Sequence, residues 1–240
     1  MPPRGLFKNK QRPSGWEFPA CSDCNEGSRG ADAVAQMLSL LDSFGEDGWQ
    51  YEQFCKVLPS VEKHAPRVYQ EISSASKAKA VLRKRHGLLR SLVEIKADGP
   101  STVAHLNAFA GKIALAAFTE LTGRPIQLDG TLYTQWYLNS GLSQDVYHAH
   151  LSILPNFSRL EQGKKNSDGQ FWLRYNTDMK SIVAAHIVFH GNLSVMTVAS
   201  DGKSYRKALV DILGKISGPS LPGARLIHPI DLKLKHLRDM

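Results

Sequence analysis

The sequence predicts an α+β fold in three zones. These are a Pro/Gly-rich, knuckle-like amino-terminal segment (1–35), a helical middle (36–125) and an antiparallel β-rich half with a terminal helix (126–240). Three observations carry this. Apolar residues recur at three- and four-residue intervals up to about residue 122. Beyond residue 126 they gather into short runs rich in β-branched and aromatic residues. Residues 1–31 hold Pro2, Pro3, Pro13 and Pro19 with Gly5, Gly15, Gly27 and Gly30, too many breakers for a long helix or a self-sufficient sheet.

At 240 residues and 42% hydrophobic composition the chain can bury a full core, which excludes a disordered or fibrous protein. Its longest apolar run, around 113–118, is far short of the ~18–20 residues a membrane span needs. The opening MPPRGLFKNK is positively charged with no apolar stretch behind it, so no export signal is expected and the reducing cytoplasm fits best. Cys21, Cys24 and Cys55, odd in number, do not make a disulfide framework. A net charge of +8, from 30 Lys and Arg against 22 Asp and Glu, favours polyanions through steering and non-specific attraction without defining a site.

Asp32 is placed to cap a helix along Val34, Met37, Leu38 and Leu41, which Gly45 and Gly48 stop. A second helix is expected over about 51–58 and a third from Ser60 or Val61 towards Ser74. Residues 77–90 then set Lys77, Lys79, Arg83, Lys84, Arg85 and Arg90 in a helix-prone segment without an acid between them. That density makes them the candidate phosphate-binding residues, against the plainer reading of a solvated charged face. The segment STVAHLNAFAGKIALAAFTELTG begins with a Ser or Thr cap, ends at Gly123 and is small and apolar nearly all round, as a central buried helix should be. TLYTQWYL, HAHLSIL, QFWLRYN, SIVAAHIVFH and LSVMTVAS read as strands, FHGNLS as a two-residue hairpin turn with positive φ at Gly191, and YRKALVDILGKI as a last helix. Trp136, Tyr137, Trp172 and Tyr175 read as sheet core, with base stacking as the second reading.

The chemistry-bearing stretch is FPACSDCNEG. Cys21 and Cys24 have the spacing at which a tight turn aims two thiolates at one zinc, ~2.3 Å from each sulfur. A structural zinc takes four ligands, and Cys55 and His64 lie on expected helices without knuckle spacing. Two ordinary loop thiols are the alternative. A thioredoxin-type role is disfavoured because the pair follows no strand and opens no helix.

The stretch PPRGLF…PSGWEFPACSDCNEGSRGADAV resembles a branch of the HNH endonuclease-like proteins. In these a first CxxC precedes Glu-His, a hydrophobic residue, Pro-Pro and Gly-Leu-Phe, and a loop then leads to Pro-Ala-Cys-x-x-Cys-Asn and an Asp opening a helix. The resemblance is specific over about residues 2–35 and implies a treble-clef or ββα-metal knuckle, of which this stretch is the second half. It implies that Cys21 and Cys24 are two of four structural zinc ligands, that Asn25 is the middle residue of the motif and that Asp32 lies near its third polar group. The activity implied is metal-dependent phosphodiester hydrolysis of DNA, with a divalent metal steadying the phosphate. The family's first CxxC and catalytic His would precede Met1, and Asn25 does not titrate, so either the gene product starts further upstream and is the enzyme, or the chain is a remnant; as given it is expected to have little or no nuclease activity. A non-enzymatic nucleic-acid- or partner-binding scaffold is the alternative.

His148 and His150 alternate on an expected strand, about 7 Å apart and close enough to share a metal. HLS at 150–152 is similar to half of the two-histidine phosphoesterase pattern, but no second half is found. His186 and His190 would share a strand face about 13 Å apart, too far for joint coordination.

Overall fold

The computed structural model describes residues 3–10, 12–13, 16, 18, 22–41, 48–74, 78–85, 88–138, 148, 154, 156–158, 161–162, 165–166, 170–202 and 225–232. The fold is α+β. Two 3-10 turns, Arg4–Leu6 and Lys8–Lys10, open the chain. Helices α1 (Ser22–Gly27), α2 (Arg29–Leu40), α3 (Trp49–His64) and α4 (Pro66–Ser73) follow. Strands β1 (Ala78–Arg85) and β2 (Leu88–Ile95) then precede the long helix α5 (Pro100–Thr122).

The carboxy-terminal half supplies β3 (Thr131–Leu138), the short β4 (Asn156–Ser158), β5 (Glu161–Gln162) and β6 (Lys165–Asn166), then β7 (Phe171–Thr177), β8 (Ile182–Phe189), β9 (Leu193–Ser200) and β10 (Arg225–Ile227). Six of these form one antiparallel sheet in the order β10-β3-β9-β8-β7-β4. The expected strand HAHLSIL and the expected last helix lie outside the described residues, except for exposed His148 and buried Leu154.

Helix α5 is the centre of the molecule. Its small residues let neighbours come close: a side chain at Gly111 would collide with Leu232, which follows the turn Pro229–Asp231. Phe109 meets Phe189 of β8 edge-on at 5.5 Å, and Asn107 Oδ1 accepts a 2.9 Å hydrogen bond from Trp136 Nε1 of β3. Leu132, Trp136, Val195, Ile187, Val183 and Leu173 join this core, so strand alternation turns one sheet face towards α5. The helix ends at Gly123 (φ 72°), as the sequence predicts.

Its start differs from expectation. Gly99 is the N-cap residue, with no cap from its own side chain. Glu71 of α4 reaches across instead: Oε1 accepts from the Ser101 N–H and Oε2 from the Thr102 N–H, both at 2.9 Å, and Oε2 also accepts from the Thr102 hydroxyl at 2.8 Å. A carboxylate suits a helix N-terminus because the first N–H groups lack partners and the helix dipole is positive there.

Other boundaries shift for identifiable reasons. Helix α2 begins three residues before Asp32, with Ser28 as N-cap, so Asp32 lies inside the first turn. Helix α3 runs through Pro59 to His64, and the break falls at Ala65 (φ −146°), where Pro66 disfavours a helical conformation for the residue before it. The β8–β9 loop holds three residues between paired Phe189 and Leu193, with both His190 (φ 51°) and Gly191 (φ 68°) left-handed. His190 is thus a turn residue and not on the face of His186.

The largest correction concerns the expected basic helix over 77–90: its described residues, 78–85 and 88–90, are strand. They begin an antiparallel two-stranded ribbon, β1 with β2, that stands apart from the main sheet. Lys, Arg and Leu favour helices intrinsically, but that preference is weak and pairing overrides it. The paired Arg85 and Leu88 flank His86-Gly87, a two-residue spacing suited to a hairpin.

Glu71 yields a prediction. Burial pushes its pKa up, but the hydrogen bonds from Ser101 and Thr102 together outweigh this and hold it below the ordinary carboxylate value. A depressed folded-state pKa contributes stability that is complete above the unfolded value and is lost as pH falls through the folded one. Glu71→Gln should therefore destabilise by about 1 kcal/mol at pH 7, with the gap from wild type closing towards pH 3. Urea unfolding midpoints of both proteins across that range check it.

Candidate nucleic-acid interface

The amino-terminal segment is tied down by side chains from three parts of the fold. Gln36 of α2 and Gln53 of α3 donate to the Gly5 carbonyl at 2.7 and 3.3 Å, and His190 donates from Nε2 to the Leu6 carbonyl at 2.5 Å. The Lys8 N–H donates to Gln170 Oε1 at 2.7 Å. Leu6, Phe7 and Trp16 are buried against Phe171, with ring centroids 6.1 Å from Phe7 and 5.2 Å from Trp16. Residues 3–7 of that segment therefore serve as packing.

Cys24 lies in the short helix α1, half-buried against the core, and its carbonyl accepts the Ser28 N–H at 3.2 Å. Cys21 lies outside the described residues. Cys55 is exposed on α3 and His64 ends that helix. Among the described residues no three of His, Cys, Asp or Glu converge as a metal-ligand group. Of the proposed histidine pair, His148 is exposed and His150 lies outside the described residues.

Asn25 is exposed on α1, where its carbonyl accepts from the Ser28 hydroxyl at 3.3 Å. Asp32 faces inward. The Lys112 ammonium on α5 donates to its two oxygens at 2.6 and 2.7 Å and to Ser28 Oγ at 2.9 Å. Burial lifts the Asp32 carboxyl above its ordinary value, against the pull of the Lys112 charge. Beside them Gly30 packs so closely that a Cβ there would lie 2.5 Å from the His64 carbonyl and 3.0 Å from His105 Nε2. His105 is buried and donates from Nδ1 to the Ser101 carbonyl at 2.8 Å, while its Nε2 has no partner. Burial lowers its pKa, the Ser101 bond and Glu71 opposing. Asn25 and Asp32 thus do not face a common reaction centre: one is on the surface and the other is half of an ion pair joining α2 to α5. Lys112, the partner, is 80 residues away and invisible to motif reading.

The basic residues are arranged by the ribbon. Its register sets Arg83 opposite Arg90, Lys79 opposite Glu94 and Arg85 opposite Leu88. Residues directly opposite share a face and alternate ones match, so Lys79, Arg83, Arg85 and Arg90 occupy positions on one face. Lys84, opposite Leu89, occupies the other, and Lys77 lies outside the described residues. Lys79 is exposed. So are Leu82 and Leu89, each at 73% the most exposed large apolar residues among those described. The sheet aromatics are inside: Trp136 and Tyr137 are buried, and Trp172 and Tyr175 half-buried. Tyr137 is hydrogen-bonded through its hydroxyl to His186 Nε2 at 2.8 Å.

Comparisons of the chain with protein-family models, with curated proteins and with solved structures find no match. Among the described residues no helix is long and apolar enough to cross a membrane.

The ion pair generates a prediction. Lys112→Met leaves the Asp32 carboxylate inside without its cation and should destabilise by about 3 kcal/mol. Adding Asp32→Asn should recover most of that loss, measured by urea unfolding at pH 7.

Proposed function

We propose that this chain binds nucleic acid through the β1–β2 ribbon, on a scaffold related to the HNH endonuclease-like proteins, and that it does not itself hydrolyse phosphodiesters. The register that puts Arg83 opposite Arg90, with Lys79 and Arg85 on the same face, carries the reading. Like charges directly opposite in a ladder are destabilising, so the arrangement costs the free protein stability. An anion between the cations reverses the sign of that interaction, and a regularly spaced polyanion meets several of them at once. The net charge of +8 adds long-range attraction of the same sign.

The residues that the resemblance assigns to catalysis favour a structural role. Asp32 is committed to Lys112, and Asn25 carries no group that titrates near neutrality. Without a positioned base, hydrolysis forgoes the ~10²–10⁴-fold contribution of general base catalysis.

The test is fluorescence anisotropy with a labelled DNA duplex over a series of salt concentrations. Each phosphate neutralised contributes about −0.9 to the slope of log K against log salt. Replacing Lys79, Arg83, Arg85 and Arg90 together by Ala should flatten that slope by roughly 3.6 units and weaken binding, with circular dichroism unchanged. No strand cleavage is expected with Mg²⁺ or Mn²⁺. A quadruple variant that binds like wild type would show that the interface is elsewhere.

A further inference from the structure

We infer that the ribbon enters a groove of double-stranded nucleic acid, with Leu82 and Leu89 packed against the duplex; this rests on the nucleic-acid reading above and names the form of the partner. Each strand has eight residues, about 27 Å at ~3.4 Å per residue, and the two strands lie ~4.8 Å apart. With side chains, such a ribbon fills a major groove about 12 Å wide, which admits two-stranded ribbons as well as helices.

Two further observations separate a duplex from a single strand. Sequence-tolerant single-strand binding depends on aromatic platforms for the bases. The ribbon, AKAVLRKR paired with LLRSLVEI, has no aromatic residue, and Tyr133, Trp136 and Tyr137 of the main sheet are each at most 5% exposed. The leucines supply the second observation. Leu82 pairs with Ser91 and Leu89 with Lys84, so both sit in the half of the ribbon nearer its closed end, on the face away from the three arginines. Two large apolar side chains at 73% exposure are costly in water. A groove offers them thymine methyl groups or an opened base step, between phosphate walls that answer the cations. Lys84, opposite Leu89, occupies a position on the same face as the two leucines, so that face offers a duplex a cation beside its apolar contacts.

The experiment compares a DNA duplex with a single strand of the same length at fixed salt, using wild type and Leu82→Ser/Leu89→Ser. Wild type should bind the duplex at least about tenfold more tightly. The leucine variant should lose roughly tenfold or more on the duplex, with single-strand affinity and salt slope unchanged. Leu82→Met/Leu89→Met should restore duplex binding. Equal or tighter single-strand binding, or a serine variant that holds the duplex as wild type does, overturns the groove assignment and leaves the polyanion reading standing. Binding to neither form overturns both.

Discussion

The contact on which most of the structure depends is the meeting of aromatic rings around Phe171. Its ring touches Phe7 and Trp16 of the amino-terminal segment and Phe189 of the neighbouring strand, and Phe189 in turn meets Phe109 of α5. Three parts of the chain without covalent proximity are joined there. Tilted and edge-on ring pairs of this kind are worth about 0.5–1.5 kcal/mol each beyond the area they bury. Among its described residues the amino-terminal segment has two short 3-10 turns and one six-residue helix, with few backbone bonds of their own to hold them. The rings and the side-chain bonds to the Gly5 and Leu6 carbonyls supply what secondary structure does not.

How much of this was legible in the sequence follows from the range of the forces involved. The strands over 131–138, 171–177, 182–189 and 193–200 declare themselves because alternation and β-branching are local. Helix α5 does so for the same reason, with its terminal glycine. The β1–β2 ribbon did not, since Lys, Arg, Leu and Ala are helix formers and the pattern of AKAVLRKR lacks clean apolar alternation. What makes it a ribbon is the partner strand, and pairing is a tertiary fact. The cap of α5 and the partner of Asp32 were hidden for a related reason: Glu71 and Lys112 act across 30 and 80 residues. No local rule reaches that far.

The candidate site shows the same division. The six basic residues were found by density alone, which is a matter of composition. Their division between two faces was not, because a helix and a strand distribute the same positions differently. On the ribbon Leu82 and Leu89, seven residues apart, come to the same face, and both are exposed. The resemblance at CSDCN shows a further limit. It places residues in a motif, while the ion pair at Asp32 shows how the fold employs that carboxylate.

The bond between His190 and the Leu6 carbonyl spans 184 positions of the chain. On a ribosome adding about 5–20 residues per second, Leu6, Phe7 and Trp16 emerge roughly 10–40 s before Phe171 and His190 exist to receive them. Throughout that interval these three large apolar side chains lack the partners that bury them. The segment around Leu6 can dock only once the chain as far as His190 has been made.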